Sequence, residues 1–232
     1  MEGSTQRGSS PSTWDELAAG YDADPYHHDH VMVACILQAV ADLRPEGVVL
    51  ECGCGTGLVT RHLLAAEHVY ALDWSSRMLE QVERKFPPER VTVTQGDLRE
   101  LPYPDGMFDC VMVANVLQHV VPADQPRVAA EIMRVLKPGG RYSVSVHHYS
   151  RDKQRRRWRK EGKTGQPGID YVYFFSREDL RELFPQARIR AIGFYGRPKQ
   201  LLISRTAGHL LARLGHGYMI CAYGAKPAAP LH

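Results

Sequence analysis

The chain is 232 residues long, 44% hydrophobic and 24% charged, with a formal charge of +3. These values fit one large globular domain and exclude wholesale disorder, and the charge is too small to imply nucleic-acid binding by itself. The five scattered cysteines match no secreted disulfide framework, the polar start MEGSTQRGSSPS has no apolar targeting core, and no apolar run approaches a membrane span. A soluble, cytoplasmic protein with reduced thiols is therefore expected.

Residues 1–12 are expected to form a flexible tail. A helical cap follows over 13–45. In it, Thr13 and Glu16 stand in capping-box spacing and Gly20 closes a first short helix. Val33, Ile36, Leu37, Val40 and Leu43 then recur at three- and four-residue steps as the apolar stripe of a second helix, ended by Pro45 and Gly47.

From residue 46 to 149 short apolar runs alternate with amphipathic segments. GVVLEC, HVYALD, RVTVTQ, FDCVMVAN and RYSVSVHH read as strands. TGLVTRHLLAAE, SSRMLEQVERKF and RVAAEIMRVL read as the helices between them, and KPGG as a turn into the fifth strand. Near-continuous apolar strands separated by helices predict a parallel sheet covered on both faces. The charged stretch 150–175, containing RDKQRRRWRKEGK, breaks the rhythm and reads as a lid or insertion. Over 176–226 the pattern returns: SREDLRELF and LLISRTAGHLLARL as helices, ARIRAIGFYG and GYMICAYGAK as strands, with a tail at 227–232. The expected fold is an α/β, doubly wound, mainly parallel seven-stranded sheet of Rossmann-like type, with helices on both faces and an N-terminal helical cap.

In such a sheet, ligands bind outside the carboxyl ends of the strands where the strand order reverses. The loop after the first strand, ECGCGTG, lies there. Its glycines allow sharp turns and close approach of a ligand, and the following helix start would offer free N–H donors. Gly53 and Gly55 fit a dinucleotide fingerprint, but Leu58 stands where its third glycine belongs and Gly57 comes one residue early. That spacing disfavours NAD or FAD, and no nucleotide triphosphate loop is present. Cys52 and Cys54 have neither zinc nor C-x-x-C redox spacing and read as small side chains, so no metal site is expected.

The E-x-G-x-G-x-G run ending a strand resembles the class I S-adenosylmethionine-dependent methyltransferases, over most of residues 14 to 148, particularly their small-molecule and ubiquinone-biosynthesis-like members. GDLRELPYPDGMFDCVMVANVLQHV and LKPGGRYSVSV resemble later signatures of that family in the expected order. The resemblance implies S-adenosylmethionine as cofactor, leaving as S-adenosylhomocysteine. It places Glu51, Gly53, Gly55 and Gly57 at the cofactor loop, and Asp73 on the adenosyl ribose hydroxyls. Trp74 then lies near the adenine, with Met78 counted beside it, Asp97 and Leu98 on the adenine amino group and ring, and Asn115 at the methionine end. Tyr21 is implied to reach the cofactor from the cap. Read as residues alone, Asp73 and Asp97 also suit helix N-caps, Glu51 a buried structural carboxylate, and Tyr21 core packing.

Methyl transfer of this type is an in-line attack that needs a general base only when the acceptor carries a proton at neutral pH. His119 and His148 are the candidate catalytic residues, with His27, His28, His30, His147 and Tyr149 also near the expected cleft mouth. A small-molecule acceptor is the favoured substrate. A wobble-uridine-type tRNA methyltransferase using the basic 151–163 stretch is an alternative, with Trp158 available for stacking. A third reading is a cofactor-binding enzyme that uses S-adenosylmethionine for non-methyl transfer or intramolecular cyclisation.

Overall fold

A computed structural model describes residues 10–148, 171–192 and 219–228. Its single sheet has seven strands: β1 Val48–Cys52, β2 His68–Asp73, β3 Val91–Gln95, β4 Phe108–Ala114, β5 Leu136–His147, β6 Arg188–Ile192 and β7 Met219–Ala225. They lie in the order β3-β2-β1-β4-β5-β7-β6. The first five are mutually parallel, and β7 runs antiparallel to both β5 and β6. The order reverses between β1 and β4, so the crevice expected for a doubly wound sheet opens above that pair.

Among the described residues six α-helices surround the sheet: α1 Pro11–Leu17, α2 Pro25–His28, α3 His30–Leu43, α4 Ser76–Lys85, α5 Gln125–Val135 and α6 Arg177–Leu183. Alternate residues of the strands enter two separate cores. Leu50, Val111, Val113, Val144 and Val146 meet Val128, Ile132 and Val135 of α5 and Leu180 of α6. On the opposite face Val49, Val69, Cys110 and Met112 meet Met32, Ile36 and Ala39 of α3 and Leu79 and Val82 of α4. Both faces are thus covered, which is why the central strands β1 and β4 are almost continuously apolar.

Three expectations are corrected. The first helix starts at Pro11, inside the expected tail, because Ser10 is its N-cap and accepts from the Thr13 amide at 3.4 Å, with proline in the first turn. TGLVTRHLLAAE forms only a 3-10 turn over Thr60–His62. Gly57 at φ +86° breaks helical geometry at its start, and the bond of Thr60 Oγ1 to Glu51 ties the segment beneath the loop. The KPGG turn lies within β5, which begins at Leu136 and is paired to β4 through a register shift between Phe108 and Cys110. The strand over GYMICAYGAK and the helix over SREDLRELF form where expected. The basic run 151–163 and the LLISRTAGHLLARL segment lie outside the described residues, as does Tyr149.

Candidate functional site

A cavity of about 950 Å³ opens at the carboxyl ends of β1, β2 and β4. Its volume sits near the top of the range of about 300–1,000 Å³ usual for small-molecule sites. Its floor is the glycine loop, Asp73, Asn115 and Val116, and its roof is the cap: Trp14, Leu17, Tyr21 and His27.

The three glycines of the loop do different work. All have positive φ: +71° at Gly53, +52° at Gly55 and +86° at Gly57. A Cβ on Gly53 would lie 2.4 Å from Val116, and one on Gly57 2.6 Å from the Phe86 ring, so both allow tight packing within the fold. A Cβ on Gly55 would meet only Tyr21, at 3.9 Å, and would project into the cavity. Gly53 and Gly55 line the cavity, and Gly57 is not among its lining residues.

The Gly55 amide donates to Asp73 Oδ2 at 2.9 Å, and the Ser75 amide donates to Asp73 Oδ1 at 3.0 Å. Asp73 therefore stands at the end of β2 held by backbone donors, buried yet on the cavity wall. Burial raises its carboxyl above the usual range, while these amide bonds work in the opposite direction. Beyond it lie Trp74, Met78, Asp97, Leu98 and Arg99. The Arg99 guanidinium bonds both oxygens of Asp97 and reaches Asp124 at 3.0 Å, and it sits 5.9 Å from the centre of the Trp74 ring. Arg99 was not singled out from the sequence; its signal was the D-x-R spacing after β3, which closes a local ion pair.

At the end of β4, Asn115 adopts a left-handed conformation with φ +59°, a rare state that asparagine tolerates better than most residues. Its amide donates to the Ser145 carbonyl, its Nδ2 to the Met32 sulfur, and its buried Oδ1 has no hydrogen-bond partner.

Glu51 is not among the lining residues and is 2% exposed, accepting from Thr60 Oγ1 at 2.6 Å beneath the loop. The expectation of a cleft-facing carboxylate fails because strand alternation turns this side chain under the 3-10 turn. Burial lifts its carboxyl from 4.5 to about 8. His148 is also absent from the lining; it is buried and bridges Phe175, whereas His147, on the other face of the strand, lines the cavity. His119 does line it. Its Nδ1 donates to the Tyr171 carbonyl at 3.0 Å, Trp14 packs edge-on at 4.8 Å, and burial drops its pKa to about 4. His27 stacks on Tyr21 at 4.0 Å in the roof. Burial raises the Tyr21 phenol well above its ordinary value.

Asp15 and Asp22 each tie the roof of the cavity to the core. Asp15 Oδ1 accepts from Ser75 Oγ at 2.6 Å and from the Arg77 amide at 3.2 Å. Asp22 accepts from Thr56 Oγ1 and pairs with Lys85, which also donates to the Thr56 carbonyl at 2.7 Å. All five cysteines are buried and unpaired, with burial pushing the Cys52 and Cys54 thiols well up. Among the described residues no cluster of His, Cys, Asp and Glu is arranged to hold a metal ion, and no helix is long and apolar enough to cross a membrane.

Residues 49–140, from β1 into the start of β5, match the sequence profile of a family described as "Methyltransferase domain". Residues 49–140 therefore carry a methyltransferase domain. The chain is 34% identical over 148 residues to a demethylmenaquinone methyltransferase of Clavibacter sepedonicus, covering 61% of this chain and 59% of that one. It is 32% identical over 165 residues to a human tRNA N(3)-cytidine methyltransferase, covering 62% and 42% respectively. The chain thus spans about half the length of the curated relatives it matches. In fold, the chain is similar to a Haloferax volcanii putative methyltransferase solved in complex with the Trm112 methyltransferase activator. The TM-score is 0.71 at 21% identity, over 96% of this chain and 100% of that one.

Proposed function

We propose that the cavity binds S-adenosylmethionine and that the chain transfers its methyl group to a small-molecule acceptor enclosed beneath the cap. The observation that carries this reading is the Gly55–Asp73 pair. An open glycine face and an acidic side chain stand side by side at the ends of adjacent strands, joined by a 2.9 Å hydrogen bond. That arrangement suits a ribose lying against the backbone with its hydroxyls donating to the carboxylate.

The other residues fit the rest of the cofactor. Trp74, Met78 and Leu98 form an apolar slot for the adenine, with Asp97 at its edge. The unpartnered Asn115 Oδ1 fits the methionine ammonium, since a buried acceptor without a donor is costly. Tyr21 covers the loop from above. When bound, the cofactor supplies an electrophilic methyl on a positively charged sulfur. This chain's residues hold the acceptor in line with that methyl and exclude water beneath Trp14 and Leu17. The acceptor lone pair forms the new bond to carbon, the C–S electrons stay on sulfur, and any acceptor proton leaves to solvent.

Enclosure by the cap supports a small acceptor. Titration calorimetry with S-adenosylmethionine and S-adenosylhomocysteine tests cofactor binding, and failure of both to bind the folded protein removes this reading. Product analysis tests the transfer itself: S-adenosylhomocysteine marks methyl transfer, and methylthioadenosine marks attack at another carbon. A tRNA acceptor is the second reading, favoured by the similarity to the tRNA N(3)-cytidine methyltransferase and by the basic run at 151–163. It requires tRNA binding that falls steeply with added salt, and loses its support if Arg155, Arg156 and Arg157 can be charge-reversed without effect.

A further inference from the structure

The polar lining of the cavity is one-sided. Its carboxylates are Asp73 and Asp97 at the proposed cofactor end, Asp124 beside Arg99, and Glu16 and Asp24 from the cap, against the single guanidinium of Arg99 among the described residues. That guanidinium is already shared between Asp97 and Asp124, so it offers little to a second anion. Among the lining side chains, His119 has a defined donor–acceptor role. Its Nδ1 faces the Tyr171 carbonyl, which can only accept, so Nδ1 carries the ring hydrogen and Nε2 presents a lone pair. Trp14 packs edge-on against the same ring and holds it beneath the roof.

We propose that the acceptor is an uncharged or cationic molecule whose N–H or O–H donates a hydrogen bond to Nε2 of His119, and that the carboxylate lining excludes anionic acceptors. This inference rests on the cofactor reading above and narrows its substrate class. His119 is then an orienting hydrogen-bond acceptor and not a proton store: with its pKa held down at about 4 by burial, it remains neutral while the acceptor binds. A carboxylate or phosphate acceptor would meet the Glu16 and Asp24 carboxylates of the cap, with no unpaired guanidinium or ammonium among the described lining residues to offset its desolvation.

The test uses the full chain and two matched series that differ in charge alone. One is tyramine, tyrosol and para-hydroxyphenylacetate; the other is histamine, imidazole ethanol and imidazole acetate. Transfer from methyl-labelled S-adenosylmethionine is expected for neutral or cationic members, with kcat/KM at least about tenfold lower for the anionic member of the same series. His119→Leu is expected to cost about tenfold in kcat/KM on the best acceptor, as for one lost hydrogen bond, with His119→Gln recovering part of it. Both variants should bind S-adenosylhomocysteine as the parent does.

An anionic member that matches its neutral partner overturns the proposal, as does His119→Leu with unchanged kcat/KM. Failure of every member to be labelled or to bind, while S-adenosylhomocysteine still binds, overturns it too. If S-adenosylhomocysteine itself does not bind, the cofactor reading fails instead. Nitrogen-15 NMR of the histidine rings gives a check that needs no acceptor: Nδ1–H at His119 is expected at neutral pH, and Nε2–H overturns the proposal.

Discussion

The Asp15 carboxylate accepts a hydrogen bond from the Ser75 hydroxyl at 2.6 Å, across sixty residues of sequence. Ser75 is also the N-cap of α4, its Oγ accepting from the Met78 amide. One hydroxyl therefore joins the roof of the cavity to the helix beside Asp73. Hydrogen bonds to charged groups contribute about 1.5–3 kcal/mol when well formed. The Asp22–Lys85 pair is partly exposed and contributes less, about 0.2–1 kcal/mol.

Asp15→Ala is accordingly expected to weaken S-adenosylhomocysteine binding by about three- to tenfold, mainly through faster release, with Lys85→Met giving a smaller effect. Stopped-flow dissociation read by tryptophan fluorescence checks this, since Trp14 and Trp74 both line the cavity. Release rates equal to the parent in both variants would mean that the cap does not gate the ligand.

The glycine loop separates binding from folding. Gly55→Ala is expected to reduce cofactor affinity more than tenfold while lowering stability by about 1–2 kcal/mol, the strain of a left-handed non-glycine residue. Gly57→Ala drives a methyl against the Phe86 ring and should lower Tm by a larger amount. Paired calorimetry and thermal melts decide the matter. Equal effects of the two substitutions on binding and Tm would remove the distinction.

Glu51 sets a pH dependence. Its folded-state value of about 8 lies above 4.5, so the native protein holds the proton more tightly than the unfolded chain. This group's destabilisation is absent below about 4.5, grows as pH rises through the window, and is complete above about 8. Glu51→Gln keeps an acceptor for Thr60 and removes the charge. Its Tm should match the parent near pH 4.5 and exceed it at pH 8.5, by about 2–4 °C for each kcal/mol gained. A constant difference across that range would place Glu51 in contact with solvent.

The thiols should be silent. Burial holds Cys52, Cys54 and Cys221 well above the usual thiol range, so little thiolate exists at neutral pH. Cys52→Ala with Cys54→Ala is expected to retain cofactor affinity within about twofold, at a stability cost of a few kcal/mol or less. Titration with a thiol reagent should label none of the buried cysteines until the protein unfolds. Loss of binding in the folded double variant would give the pair a role in the site.

The strands were legible because runs such as VVLEC and FDCVMVA are buried on both faces, leaving little for polar residues to contradict. Asp73, Trp74, Asn115 and Tyr21 line the cavity, at the strand ends and in the cap where the resemblance to methyltransferases places a ligand. The failures share one cause. Which side of a backbone a residue faces depends on tertiary contacts that spacing does not encode: His147 and His148 differ by one step of the pleat, and Glu51 by the bond that Thr60 offers it. Ser10 outcompeted Thr13 as a cap because Pro11 is pre-set for the first helical turn, a local cue that the capping-box match obscured.

The placement of β7 has a consequence for how the molecule is made. Met219–Ala225 pairs with β5 on one side and β6 on the other, so the latest described strand in the sequence occupies an interior position. During synthesis β6 emerges first and has no neighbour among the described strands until β7 arrives, while β5 presents an open edge. That half of the domain must wait until residues 219–225 have been synthesised, and a nascent chain stalled after Ile192 exposes a strand edge to which chaperones or other chains can add.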